Sequence, residues 1–320
     1  MAAFLTSVSS VVVIVLMMAL GYILRKNGWF DDSFSSNISK LITQIALPAS
    51  IFISVQDHLT RDGLGNLFQG LLFPALGVVI GYIIAWLTVK IFKIRPGRRG
   101  IFMNTVVNAN TIFIGMPLNN ALFGSKGLSY FLIYYIINTV STWAFGVYLI
   151  YNDDPVAKNA AKKINWRKLL PMPLVGFIVA ILWLLTGIKV PAFAAQTLTY
   201  VGGLVTPLSL IYIGIVLCDA GLKNFKVERD TILGLIGRFI LSPLVLILLI
   251  KFVAPAAGIH MVSLMRETFI VQAATPALAV LPILANEAHG DVKYATDIVV
   301  MSTVLFIVVV PILMTIIQYI

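Results

Sequence analysis

Charge is scarce in this 320-residue chain: Asp, Glu, Lys and Arg make up 11% of it, against about a quarter in ordinary soluble domains. Such a composition cannot cover a water-facing surface. The hydrophobic share of 59% and a mean hydropathy of +0.97 instead place the chain in lipid as a polytopic membrane protein. Cysteine is nearly missing too. Cys218 alone excludes an intrachain disulfide and leaves a zinc cluster implausible. His58, His260 and His289 read as loop or interfacial residues, and no metal or cofactor is expected. The chain has no paired histidines, no Gly-x-Ser-x-Gly elbow and no intramembrane aspartate pair, so no catalytic residue is assigned and an enzyme is disfavoured.

What the chain has is long apolar runs. A bilayer core needs roughly 20 mainly apolar residues per helix, and ten segments qualify, at about 4–24, 34–55, 67–92, 100–123, 127–150, 169–186, 193–217, 230–252, 262–285 and 294–319. The first lacks a basic region before it and an Ala-x-Ala site after it, and Arg25 and Lys26 follow, so it is kept as a span and not a cleaved signal. The net charge of +10 is unevenly shared. Odd loops with their helix ends hold Arg25 and Lys26; Lys90, Lys93, Arg95, Arg98 and Arg99; Lys158, Lys162, Lys163, Arg167 and Lys168; Lys223, Lys226 and Arg229; and Lys293. Even loops hold Arg61, Lys126, Lys189 and Lys251. The positive-inside rule puts the odd loops in the cytoplasm and both termini outside. The basic surplus then needs no nucleic-acid partner, and the location expected is the cell membrane, multi-pass.

Five segments precede the basic linker 152–168 and five follow it, which divides the chain into repeats at 1–151 and 169–320. Five is odd, so the second repeat is inverted. "ALPASIFISV" with Pro48 has a counterpart in "VTPLSLIYIGIV" with Pro207, and "VSTW" from Val140 has one in "MSTV" from Met301. Setting Pro117 on Pro282 superposes segments 4 and 9 and brings Asn110 onto Thr275. Both residue types cap helix N-termini, and Thr275 is followed by Pro276, a residue favoured at the first helical position. Each helix is therefore expected to stop and restart near the middle of its span, around Asn110 and Thr111 in one and Thr275 and Pro276 in the other. Lipid cannot satisfy the freed backbone groups, so protein or a polar cavity must cover them. Paired broken helices in inverted repeats mark secondary transporters, and facing half-helix N-termini suit an anion.

The polar inventory of the spans supplies the candidates. Asn110 and Thr275 are placed at the anion, with Asn108, Gln272 and Asn138 shaping the site. Arg238 is read either as a counter-ion or as a tie between helix ends. Intramembrane carboxylates are functional hypotheses by default, so Glu267, Asp219 and Asp297 are candidates for carrying a coupling proton. Asn, Ser and Thr also hydrogen-bond helices together, and the prolines also serve as kinks.

"NANTIFIGMPLNNALFG", "SKLITQIALPASIF", "GRFILSPLV", "FIVQAATPALAVLPILANEAHG" and "MSTVLFIVVVPIL" resemble the auxin efflux carrier family, which includes plant PIN carriers and bacterial malate and malonate permeases. That resemblance implies an all-α fold of ten helices, with segments 1, 2, 6 and 7 as a scaffold that dimerises and segments 3–5 and 8–10 as a transport domain with crossed, broken helices 4 and 9. It also places Asn110 at a substrate carboxylate and Pro276 at the second crossover. Plant members have proline where this chain has Ala109. The expected function is a permease for malate or a related carboxylate, working by an elevator movement and coupled to H+ or Na+. The alternatives are a sodium-coupled organic-anion symporter of bile-acid type and an exporter of aromatic carboxylates like auxin. The partners expected are the small carboxylate, lipid and a second copy of the chain.

Overall fold

The computed structural model describes residues 2–60, 65, 70–153, 172–221 and 227–318. The linker 152–168 lies almost wholly outside them, as do Arg61, Lys223 and Lys226. Twelve helical elements run through the described residues: α1 Ala2–Lys26, α2 Phe34–His58, α3 Leu72–Ile91, α4 Arg99–Val107, α5 Thr111–Phe123, α6 Ser125–Asn152, α7 Met172–Thr186, α8 Ala192–Ala220, α9 Arg229–Ala256, α10 Ser263–Ala273, α11 Leu281–Glu287 and α12 Val292–Ile317. Of these, α2, α3, α6, α8, α9 and α12 are long and apolar enough to cross a bilayer, and α5 and α7 are shorter apolar helices. The described residues hold no strand, only one isolated antiparallel bridge, between Ala109 and Ala277.

Proline shapes these helices without ending most of them. A proline lacks an N–H and its ring collides with the carbonyl four residues back. In this chain π-helical turns stand immediately ahead of four of them: Ile42–Ala46 before Pro48, Thr111–Gly115 before Pro117, Gly237–Leu241 before Pro243 and Leu249–Val253 before Pro255. The wider turn moves the carbonyl out of the ring's way and lets the helix continue.

Packing follows the small residues. A Cβ on Gly214 of α8 would stand 2.0 Å from the Met18 carbonyl oxygen, and one on Gly21 of α1 would stand 2.2 Å from that of Ile211. The pair α1 and α8 therefore touches backbone to backbone, as small residues permit between membrane helices. A Cβ on Gly176 of α7 would stand 2.9 Å from Pro48 of α2, and one on Gly202 of α8 would stand 2.8 Å from Ser50. On the other side α3 packs on α4, α10 on α6 and α9, and α11 on α12.

One end of the bundle is tied by charge. Arg98, ahead of α4, reaches Glu228 at 2.5 Å and Asp291 at 2.6 Å, and stacks over the Tyr294 ring. Arg229 donates to the Phe92 carbonyl at 2.7 Å. The starts of α4, α9 and α12 are thus joined. The hydrogen bond from Arg98 holds the Glu228 carboxyl below its ordinary range.

Candidate functional site

The chain stops being helical at Asn108, whose backbone is extended, and resumes at Thr111. Asn110 caps the new helix, its Oδ1 accepting from the Phe113 N–H at 3.2 Å. The second break is longer. Helix α10 ends at Ala273, and α11 begins only at Leu281, with Pro282 in its first turn.

This corrects the expectation for Thr275 and Pro276. Thr275 does not cap a restarting helix; its hydroxyl donates back to the Gln272 carbonyl at 2.9 Å, closing the end of α10. The reason is the crossing segment: Ala277 bridges Ala109, and the Asn110 N–H donates to the Pro276 carbonyl at 2.8 Å. A segment paired in this way cannot also be a first helical turn, so the restart moves to the next proline.

The exposed backbone of the crossover is accounted for almost group by group, as burial demands. The Asn138 carboxamide on α6 clamps Ala109, accepting from its N–H at 2.8 Å and donating to its carbonyl at 3.0 Å. On α12, Ser302 Oγ accepts from the Ala277 N–H at 3.1 Å. One long side chain and one short one thus each satisfy a backbone N–H of the two crossing segments, and the long one a carbonyl as well.

Arg238 is wholly buried on α9. Its guanidinium donates to the Thr105 carbonyl at 3.4 Å, near the end of α4, to Ser242 Oγ at 2.9 Å and, by a very short contact, to the carbonyl of Ala273, the last residue of α10. Carbonyls in the last turn of a helix lack intrahelical partners and carry the negative end of its dipole. One cation therefore serves the C-terminal ends of both first half-helices.

Beside the crossover lies a cavity of about 240 Å³ whose polar liners are Asn110 and Thr111, Tyr135, Asn138, Thr139 and Thr142 of α6 and Thr43 of α2, while most of its wall is apolar, with residues 278–280 ahead of α11 among it. Asn110 is 3% exposed, and its Nδ2 has no hydrogen-bond partner among the described residues; Thr142 Oγ1 has none either. An N–H donor at the start of α5 and a hydroxyl of α6 thus stand unpaired on residues that line one cavity, and a helix N-terminus is suited to an anion.

The other sequence candidates lie elsewhere. Asn108 is engaged with Tyr82, Asn104 and Ser141, the last at 2.5 Å. Gln272 donates to the Gly115 carbonyl at 3.0 Å, bracing α5 against α10. Neither of these two lines the cavity, nor do Thr275, Pro276 or Arg238. Glu267 accepts from Ser263, Asp219 pairs with Arg25 at 2.6 Å, and Asp297 pairs with Lys293 at 2.9 Å. Sequence reading passed over Thr43, Tyr135 and Thr139. For the last two a signal was present: Tyr135, Asn138, Thr139 and Thr142 recur at the spacing of one helix face. Among the described residues no group of three or more His, Cys, Asp or Glu could hold a metal ion.

A chain of apolar helices, two of them broken beside a cavity that carries a few polar side chains, is a multi-pass membrane protein of the transporter kind. It belongs to the membrane transport protein family, whose pattern it matches over residues 6–314. It is 25% identical over 315 residues to an uncharacterized transporter of Methanothermobacter thermautotrophicus, covering 96% of this chain and 97% of that protein. It is 23% identical over 309 residues to the uncharacterized transporter YfdV of Escherichia coli K12, covering 93% of each. The matches run through both broken segments, and membership sets the chain among membrane transporters.

Proposed function

We propose that the chain is a secondary active permease of small organic anions in the cell membrane, with malate or a related di- or hydroxycarboxylate as its substrate. The observation that carries this reading is the unpaired, buried Asn110 Nδ2 at the start of α5, on a residue that lines a partly open cavity. Its partner atom Oδ1 is committed to the cap, so the amide's donor end is free for a carboxylate oxygen. Binding by neutral amide, hydroxyl and helix terminus leaves no fixed positive charge to hold the anion, which favours release.

In this reading α1, α2, α7 and α8 form a scaffold, dimeric across the membrane, and α3–α6 with α9–α12 form a transport body that slides against it. Two inverted repeats with both termini outside account for the pairing of α1 with α8 and of α7 with α2: exchanging the repeats turns one pair into the other. The ion ties among α4, α9 and α12 and the Arg238 bridge lie within the transport body, so it can move as a unit. H+ or Na+ drives the movement.

The test is counterflow of labelled malate into malate-loaded proteoliposomes. Asn110→Asp keeps the cap, since Asp serves as well as Asn there, but replaces the donor with an anionic oxygen; uptake is expected to vanish while the melting temperature holds. Normal uptake in that variant would sink the site. Omitting sodium and collapsing the pH gradient in turn identifies the coupling ion.

A further inference from the structure

A second cavity, of about 490 Å³, opens at the other end of the bundle from the Arg98 ties. It lies where the end of α2 meets the starts of α6 and α10, on the junction between the proposed scaffold and transport body. His58, Lys126 and His260 all line it. His58 Nδ1 sits 3.2 Å from the Ser54 carbonyl, which leaves Nε2 as the ring's other polar atom. At the wall, Ser129 is 4% exposed and its Oγ has no partner among the described residues. The eleven-residue α10 starts there as well: Val262 and Leu264 line the cavity, and Val262 gives the helix no side-chain cap.

Three chain segments far apart in sequence thus bring three nitrogen bases, an orphan hydroxyl and an uncapped helix N-terminus to one concavity. The carboxylates nearby are turned to other work. Asp57 lines a separate cavity with Lys189, and Glu267 accepts from Ser263. Of the other ionisable groups on these elements among the described residues, Tyr130 lines the cavity and Arg266 of α10 does not.

We infer that this cavity is an antechamber that collects carboxylate anions from solution ahead of the crossover site, and that its pull is set by the protonation of His58 and His260. It rests on the organic-anion reading above only for the identity of the anion. A cleft lined by one sign of charge raises the local concentration of its counter-ion. Histidine is the side chain whose charge changes between about pH 5 and pH 8, so the antechamber fills best in mildly acid medium, with Lys126 as the constant part.

The experiment uses the purified full chain with Cys218→Ser, which leaves no native thiol, and a reporter Leu264→Cys, with Tyr130→Cys as the second reporter. Each is labelled with an anionic and a cationic methanethiosulfonate; thiol ionisation cancels in the ratio of the two rates. The anionic-to-cationic ratio is expected to fall about tenfold between pH 6 and pH 8. It should lose that dependence in His58→Gln/His260→Gln, drop at both pH values in Lys126→Gln, and malate should slow labelling at pH 6 even with Asn110→Asp. A pH-independent ratio, a dependence that survives the double histidine variant, or no protection by malate unless Asn110 is intact overturns the antechamber. Counterflow that survives Asn110→Asp would defeat the crossover site alone and leave the labelling result standing.

Discussion

Asn138→Ala removes both hydrogen bonds that the α6 carboxamide makes to Ala109, at 2.8 and 3.0 Å. Ala109 is fully buried in the parent, and its carbonyl also accepts from the Thr111 N–H. An unpaired buried polar group costs about 1–3 kcal/mol. The N–H loses its partner outright and the carbonyl loses one of two, which gives about 2–4 kcal/mol against the crossed state. Even the lower figure changes a local equilibrium roughly thirtyfold. Ser302→Ala strands only the Ala277 N–H, at about 1–3 kcal/mol, so the two variants are ordered. Hydrogen exchange of the peptide around 105–115 should show at least a thirtyfold loss of protection in Asn138→Ala, with a smaller loss around 275–280 in Ser302→Ala, and malate counterflow should fall in the same order. Equal or reversed effects would refute the idea that Asn138 is the main clamp of the crossover.

Arg238→Met leaves the carbonyls at the ends of α4 and α10 without their shared donor. Hydrogen bonds to charged groups contribute about 1.5–3 kcal/mol each, so the melting temperature in detergent should fall sharply, and Arg238→Lys, with one compact ammonium, should recover only part of it. Gly214→Ala places a methyl 2.0 Å from the Met18 carbonyl; the backbone must give way, and a loss of about 1–3 kcal/mol is expected, read as lower thermal stability with malate binding retained. The Glu228 carboxyl titrates below its ordinary 4.5 because Arg98 stabilises its anion. Its contribution to stability is therefore complete above about pH 4.5 and is lost as pH falls through the lowered value. Melting temperature against pH should drop less steeply below pH 4.5 in Glu228→Gln than in the parent, and identical slopes would show that the pair adds nothing.

The membrane class and the position of most apolar helices were legible in the chain because both depend on local composition: a run of apolar residues is helical in lipid whatever its neighbours are. Asn110 was legible for the same kind of reason, since a cap acts on a backbone group three residues on. Pro48 and Pro117 were legible as kink candidates, but the π turns ahead of them were not, nor were the like turns ahead of Pro243 and Pro255. Thr275 was misplaced because capping preference is a local argument, and here a strand pairing from another part of the chain overrode it.

By itself, then, the sequence determined a lipid-embedded helical chain with a break around Asn110 and Thr111 and a capping residue there. Tertiary structure alone decided where the second break ends, which side chains clamp the two crossing strands, and that Arg238 spends its charge on the ends of α4 and α10. Those partners lie 29 residues away for Asn138 and Ala109, 35 for Arg238 and Ala273, and 133 for Arg238 and Thr105. The physical reason is that a helix closes its hydrogen bonds within itself, whereas a broken helix in lipid must find each partner on another element. The pattern of one segment cannot say which element that will be.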